Sequence, residues 1–175
     1  MRALVVYESM FGNTRNIALA IAEGIATAME VEAVEVGSAP RALAADVALV
    51  VVGGPTHAHG LSTPKSRANA VGRTDGPLVS QHIGVREWLW SLRLGSGVIA
   101  AAFDTRIKGP ELFTGSAAKS ATRLLRRSGL RRVEEPRSFV LDGSTGPVAN
   151  RVAKGELDAA RAWGVTLAAG ATAST

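Results

Sequence analysis

The stretch ESMFGNT, residues 8 to 14, carries side chains suited to holding an anion. The hydroxyls of Ser9 and Thr14 and the amide of Asn13 are hydrogen-bond donors. The stretch joins a run of strand-forming residues to an amphipathic helical pattern, so its backbone N–H groups from Met10 onward lie at the start of a helix. Free N–H groups and the helix dipole favour negative charge there. We therefore predict a phosphate site that needs no cation.

The same stretch also has a purely structural interpretation. Asn13 or Thr14 can cap the helix, and Gly12 can supply a positive φ, as in many strand-to-helix turns that bind nothing. The other polar segments of the chain are needed to decide between the two interpretations.

A second polar segment begins with GGPTHAHG, residues 53 to 60, and contains an H-x-H pair formed by His57 and His59. Two imidazoles suit a metal, but no third ligand follows at a recognisable spacing, so we expect no metal site. The histidines either border a ligand at a strand's carboxyl end or are simply polar groups of a loop.

Several kinds of chemistry are excluded by what the sequence lacks. The chain has no cysteine, which excludes disulfides, thiolate catalysis and Cys-based metal sites. Neither G-x-G-x-x-G after the first strand nor G-x-x-x-x-G-K-[ST] is present, so dinucleotide and P-loop sites lose their main support. The nearest approach to a G-x-S-x-G nucleophile elbow, residues 60 to 64, ends in proline.

The elements that must position these groups alternate between strand and helix. Strands are predicted at 5–7, 31–36, 45–55 and 97–103, with a broken fifth strand within 131–143, and helices at about 13–28, 84–94, 115–129 and 156–170. This order predicts an α/β fold with a doubly wound, five-stranded parallel sheet. Ligands of such sheets bind at the carboxyl ends of the strands, where the polar turns meet. The connection from 53 to about 82 shows no evident structure and is long enough to be functional.

Composition indicates one globular domain. The chain has 175 residues, 46% of them hydrophobic, and we expect an ordered domain over 1–170 and a frayed tail over 171–175. The sequence enters a strand almost at once, and no apolar run approaches about 18 residues, so we expect a soluble, cytoplasmic protein without a membrane segment.

The net charge is +5, from 20 basic and 15 acidic residues, and the densest basic cluster is RLLRRSGLRR, residues 123 to 132. No aromatic side chains interleave with these arginines to stack on bases, so we expect no nucleic-acid partner. Arg123, Arg126 and Arg127 are instead expected on the solvated face of a helix.

The sextet Ser9-Met10-Phe11-Gly12-Asn13-Thr14 after VVYE resembles the phosphate loop of flavodoxins, Ser/Thr-x-Ser/Thr-Gly-Asn-Thr. GGPTHAHG is similar to their loop at the isoalloxazine ring, and FDTR followed by ELFTGSA to their third FMN loop. The resemblance covers nearly the whole chain. It implies a flavodoxin-like fold with strand order 2-1-3-4-5, non-covalent FMN as cofactor, and a redox partner protein or small electron acceptor. The oligomeric state stays open.

The resemblance also implies a set of cofactor-binding residues and no catalytic side chain, since the chemistry belongs to the flavin. The cofactor-binding residues are Ser9, Met10, Phe11, Gly12, Asn13, Thr14, Pro55, Thr56, His57, His59, Phe103, Asp104 and Thr105. Asp104 and Thr105 are expected at the pyrimidine edge of the flavin, although Asp104 could equally cap a turn or helix.

Two departures from the flavodoxin pattern keep other functions open. Phe11 replaces the middle Ser/Thr, and the loops lack the tryptophan and tyrosine that often sandwich the ring, which leaves His57, His59 and Phe103 as the flat side chains. Trp88 and Trp90 are expected in the core. The leading hypothesis is an electron-transfer protein; the alternatives are an FMN-dependent NAD(P)H:quinone-type reductase and a flavin-free module that retains the fold.

Overall fold

The computed structural model of the chain describes residues 1–57, 60–73, 77–93, 97–109, 115–130, 132–143 and 151–173. Within these residues the strands are β1 (Arg2–Tyr7), β2 (Glu30–Glu35), β3 (Val47–Pro55), β4 (Ile99–Ile107), β5 (Arg132–Val133), β6 (Arg137–Asp142) and β7 (Arg151–Val152). The helices are α1 (Asn13–Ile25), α2 (Pro64–Val71), α3 (Val85–Ser91), α4 (Ala117–Arg127) and α5 (Glu156–Thr172). This alternation confirms the predicted α/β class.

The strands form one sheet in the order β2-β1-β3-β4-β6-β7, and β5 also pairs with β4. All pairs from β2 through β6 are parallel. The predicted order 2-1-3-4-5 is confirmed, because β5 and β6 are the two parts of the broken fifth strand. The antiparallel pairing of β7 with β6 was not predicted. A strand of two residues is too short to show an alternating pattern in the sequence.

Helices cover both faces of the sheet, as a doubly wound fold requires. On one face, α1 and α5 pack on a core that includes Ile17, Phe139 and Trp163. On the other face, α3 and α4 pack on a core that includes Trp88 and Leu125. The central strand β3 is buried on both faces, which explains its unbroken apolar run.

Two glycines allow α1 and α5 to cross closely. A Cβ built on Gly24 would overlap the backbone carbonyl oxygen of Arg161, and one built on Gly164 would overlap that of Ile21. The backbones are therefore nearer than side chains at these positions would permit. This crossing fixes the axis of α1, whose N-terminus follows the polar turn after β1.

The expectation that residues 53 to 82 lack regular structure is wrong. They contain α2, which begins with a reciprocal cap: Thr63 Oγ1 accepts from Ser66 N at 3.2 Å, and Ser66 Oγ accepts from Thr63 N at 2.9 Å. The Thr63-Pro64 pair is a recognised helix start, but the eight residues of α2 carry too weak an apolar periodicity to reveal a helix.

The two tryptophans of α3 have different environments. Trp88 is fully buried and its Nε1 donates to Pro40 O at 3.1 Å, which confirms the expectation of a core residue. Trp90 is 65% exposed, so the same expectation is wrong there. Residues two positions apart on a helix point to opposite sides, so α3 buries only one of the pair.

Other differences concern element ends and exposure. Strand β4 continues to Ile107, past the predicted end at 103, and α5 continues to Thr172 with Ala171 buried. The three arginines of α4, Arg123, Arg126 and Arg127, are exposed as expected. Among the described residues, none of the helices has the length and apolar character needed to cross a membrane.

Candidate functional site

The carboxyl ends of β1, β3 and β4 lie side by side. Tyr7 is in register with Gly53, and Gly53 with Phe103, so the turns that follow these strands meet at one edge of the sheet. Most of the predicted site residues are on these turns or in the last residues of the strands. The edge is the location expected for a ligand of a doubly wound sheet.

Direct hydrogen bonds join the three turns. Thr14 Oγ1, at the start of α1, lies 2.8 Å from Thr105 Oγ1 on β4. Thr56 N, after β3, donates to Thr105 O at 3.0 Å, and Thr56 Oγ1 donates to Asp104 Oδ2 at 3.1 Å. The structure thus brings together residues that are far apart in the sequence.

The turn after β1 has the geometry of an anion site. Gly12 adopts φ 92°, in the left-handed region, directly before α1. Within the described residues the backbone N–H groups of Met10, Phe11 and Thr14 have no hydrogen-bond acceptor. Free N–H groups around a left-handed residue at a helix start form a concave binding site for an anion.

Ser9 stabilises this turn from inside. It is fully buried, and its Oγ accepts from Gly12 N at 3.1 Å and from Arg15 N at 3.3 Å. Its hydroxyl therefore satisfies N–H groups at the start of α1. Ser9 therefore shapes the turn, and its direct contact with a phosphate stays a prediction.

The end of the connection after β3 supports the same turn. Ser9 N donates to Ser80 Oγ at 3.0 Å, Ser80 N donates to Ser9 O at 2.8 Å, and Val79 N donates to Met10 O at 3.1 Å. Met10 is also buried against Leu78, with Phe11 packed on them. Sequence analysis missed this support because nothing in the segment around residue 80 marks it as a partner of residues 9 and 10.

Asp104 is the most heavily bonded side chain of the site. It is fully buried, and its Oδ2 accepts from Ser116 Oγ at 2.7 Å, Ala118 N at 2.9 Å and Thr56 Oγ1 at 3.1 Å. The carboxylate thus caps the N-terminus of α4, the alternative role named for it. Its Oδ1 is also buried and has no hydrogen-bond partner among the described residues.

His57 follows β3 in a tight turn. Its backbone N donates to Gly60 O at 2.8 Å, and Gly60 N donates to His57 O at 2.9 Å. Burial lowers the pKa of the imidazole, and the positive charges of Arg73 and Arg67 lower it further. Its Nε2 is buried without a hydrogen-bond partner in the described part of the chain. His59, predicted beside it, lies outside the described residues.

Phe103 lies in the core at 1% exposure, where its ring packs edge-on against Phe139 with centroids 6.1 Å apart. Its ring also fills the space that a Cβ on Gly53 would occupy. We therefore assign no ring contact to Phe103, because both sides of the side chain are already covered by protein. Pro55, Thr56 and Asn13 are partly exposed at the edge.

A buried polar cluster lies beside the site and was not found from the sequence. Val85 N donates to Glu8 Oε2 at 2.9 Å, and Arg67 Nη1 donates to Ser62 Oγ at 2.8 Å and pairs with Glu87 Oε2 at 3.2 Å. Burial raises the pKa of Glu8, against the opposing effects of Ser62, Val85 N–H and Arg67. The cluster attaches α2 and α3 to the end of β1.

No group of three or more His, Asp or Glu side chains suited to a metal occurs within the described ranges.

No protein-family model matches the chain, and no curated protein matches it in sequence. Solved structures do resemble it. A flavodoxin from the domain Archaea is 19% identical, with a TM-score of 0.65 over 98% of this chain and 99% of that one. Oxidised Flavodoxin 1 from Bacillus cereus is 19% identical, with a TM-score of 0.64 over 95% and 97%. A WrbA-like flavodoxin protein from Agrobacterium tumefaciens is 19% identical, with a TM-score of 0.55 over 99% of both chains. At these sequence identities the similarity concerns the fold alone. Together with the observed strand order, this similarity shows that the chain has the flavodoxin-like fold.

Proposed function

We propose that this protein binds one FMN non-covalently at the carboxyl edge of its sheet and transfers electrons to a protein partner or a small acceptor. The observation that carries the proposal is the convergence of three turns around the free N–H groups of Met10, Phe11 and Thr14. Neutral donors at a helix start suit a terminal phosphate. The flavodoxins among the structural neighbours support the choice of flavin.

In this proposal the turn after β1 holds the phosphate. The three free N–H groups, the Asn13 amide and the Thr14 hydroxyl are its donors, and Ser9 keeps the turn in shape from below. Charge-assisted hydrogen bonds of this kind are about twice as strong as neutral ones, so the missing hydroxyl at Phe11 can be tolerated.

The turns after β3 and β4 would hold the ring system. Asp104 Oδ1 is a buried acceptor without a partner in the described chain and can take an N–H from the pyrimidine edge. His57 has a depressed pKa, so its imidazole is neutral near pH 7 and adds no charge beside the ring. Bound FMN supplies the redox chemistry, and these side chains set its environment.

A titration of the purified protein with FMN and with riboflavin tests the proposal. We expect a shifted flavin absorption spectrum and quenched fluorescence, with FMN bound more tightly than riboflavin, because only FMN carries the phosphate. Circular dichroism establishes that the protein is folded. Absence of binding at high micromolar FMN in folded protein would refute the proposal.

The enzyme alternative is separated by an assay for NAD(P)H oxidation with a quinone as acceptor. An electron-transfer protein should show no steady turnover unless a reductase is added. Sustained oxidation of NAD(P)H by the FMN-loaded protein alone would replace electron transfer with the reductase function.

A further inference from the structure

A pocket of about 590 Å³ lies outside the candidate flavin site, at the ends of β4 and β6 and along β7. None of the predicted flavin-binding residues that the structure describes lines it. We call it the β7 pocket; the lining residues that matter here are Ile107, Lys108, Leu141, Asp142, Val152 and Lys154. Pockets of this size commonly hold small organic ligands.

The floor of the β7 pocket is an apolar row. Ile107 is in register with Leu141, and Leu141 with Val152, and residues paired in register project from the same face of a sheet. With strands about 4.8 Å apart, the three side chains make a shelf about 10 Å wide. Ile107 is 50% exposed, so the shelf is open to a ligand. A row of short aliphatic side chains suits the face of a planar ring.

The rim of the pocket favours an anion. Lys108, Arg151 and Lys154 line the pocket together with one acidic residue, Asp142, which is the cross-strand neighbour of Arg151. The two lysines make no ion pair within the described residues. Two cations beside an apolar shelf are complementary to a ring system that carries a phosphate.

The β7 pocket adjoins the turn proposed to bind the FMN phosphate. Thr105 contacts Thr14 at the start of α1, and Ile107 lies two residues farther along β4 on the same face. Two residues of a strand span about 7 Å. A ligand on the shelf would therefore lie next to that phosphate.

From these observations we propose that the β7 pocket binds a nucleoside monophosphate group, with its base and ribose on the apolar row and its phosphate between Lys108 and Lys154. The group can belong to a free nucleotide or to the adenylyl half of FAD. The shelf and the lysines are independent of the flavin site, whereas the FAD form rests on the proposed flavin function.

Calorimetric titration with AMP tests the pocket. We expect wild-type protein to bind AMP, and Lys108→Ala combined with Lys154→Ala to weaken binding about ten- to a hundredfold, because charge-assisted contacts to the phosphate are lost. Uncharged adenosine should bind weakly and equally to both. Ile107→Glu, at an exposed position, should also abolish AMP binding. Lys119→Ala on α4 removes the same charge elsewhere and should change nothing.

Comparison of FAD with FMN identifies the source of the group. If FAD binds at least tenfold more tightly than FMN, and the double lysine variant loses this difference in affinity, the nucleotide group in the pocket belongs to FAD. If AMP binds in the presence of saturating FMN, and FAD binds no more tightly than FMN, the pocket binds a free nucleotide.

The proposal is overturned if folded wild-type protein shows no AMP binding at about 5 mM, a concentration that detects even millimolar affinity, or if the lysine variant binds AMP as well as wild type does. Failure of the flavin function alone would appear differently, as AMP binding without FMN binding.

Discussion

At the scale of single residues, the phosphate proposal depends most directly on Thr14. Thr14 is 2% exposed, and its hydroxyl lies 2.8 Å from that of Thr105. Each hydroxyl carries one hydrogen, so the pair uses one hydrogen between the two threonines and keeps the other for a ligand. In the proposed complex Thr105 donates to Thr14 Oγ1 and Thr14 donates to the phosphate, so replacing Thr14 removes that donor from the phosphate site.

We predict that Thr14→Val weakens FMN binding about ten- to a hundredfold, because a charge-assisted hydrogen bond to the phosphate is lost. Riboflavin lacks the phosphate and should bind wild type and variant with nearly equal affinity. Fluorescence titrations with both flavins measure the two affinities. An unchanged FMN-to-riboflavin preference, with a loss of thermal stability only, would show that Thr14 merely caps the helix.

Thr122→Val is the matched control. Thr122 lies on α4, is 3% exposed, and its hydroxyl is buried without a hydrogen-bond partner among the described residues. The same substitution there should leave both flavin affinities unchanged.

Glu8 gives a prediction about pH. Its carboxyl is fully buried, and burial raises its pKa above the ordinary 4.5, so the folded protein holds this proton more tightly than the unfolded chain does. The resulting stability is complete below pH 4.5 and is lost as pH rises through the folded-state pKa. The amide of Glu8→Gln does not ionise. The free energy of unfolding of the variant, relative to that of wild type, should therefore increase as pH rises above 4.5.

Urea unfolding at a series of pH values measures this difference. Glu30→Gln, at an exposed position on β2, controls for the removal of one carboxylate. A difference between Glu8→Gln and wild type that stays constant with pH would contradict the assignment of a raised pKa to Glu8.

Residue types and spacing were enough to locate the turn proposed to bind an anion and the approximate positions of Thr14 and Asp104. They did not show that Ser9 and Phe103 would be buried, nor that Glu8 would share a cluster with Arg67. Burial and pairing across loops depend on how helices pack, and a single sequence does not encode such partners as a local pattern.

At the scale of elements, the crossing of α1 and α5 is the most restrictive contact. The groups that a Cβ on Gly24 or Gly164 would meet are backbone carbonyl oxygens, which cannot rotate away as a side chain can. The helices would have to separate to admit even one methyl group.

We predict that Gly164→Ala lowers the free energy of unfolding by about 1 to 3 kcal/mol through overpacking, although alanine favours helix by about 1 kcal/mol. Urea unfolding measures the change. Gly72→Ala at the end of α2 is the control, since a Cβ built on Gly72 would have its nearest contact at 3.9 Å and the φ of −69° suits alanine. Equal stability of Gly164→Ala and wild type would mean that the helices can separate without cost.

Long periodic elements were predictable and short ones were not. Strand β3 and helix α5 were found because many residues repeat one pattern. Helix α2 and strand β7 have eight and two residues, and they form because neighbouring elements support them. Strand β7 also shapes the pocket that carries our further proposal, so that pocket had no counterpart in the sequence analysis.

At the scale of the whole molecule, ligand binding should increase the free energy of unfolding of the protein. The turns of the candidate site are joined to one another and, through Asp104 and the buried cluster, to α4 and α3. The site therefore exists only when the sheet and its helices are assembled, and FMN should bind the folded state alone.

We predict that FMN at a hundredfold excess over its Kd stabilises the protein by about 2.7 kcal/mol, which raises Tm by about 5 to 10 °C for a chain of this size. Differential scanning calorimetry with FMN, and with riboflavin at the same concentration, measures the shift. A smaller shift with riboflavin is expected from its weaker binding. Equal unfolding temperatures with and without FMN would contradict specific binding to the folded state.

The packing of Phe103 over Gly53 has a consequence for how such a sequence can change. A larger residue at 53 would overlap the ring, while a smaller residue at 103 alone would leave a cavity beside β3. Each single substitution is destabilising, and the second removes the defect that the first creates, so their effects are not additive. We expect homologous chains to vary the two positions in concert, with glycine at 53 accompanying an aromatic residue at 103.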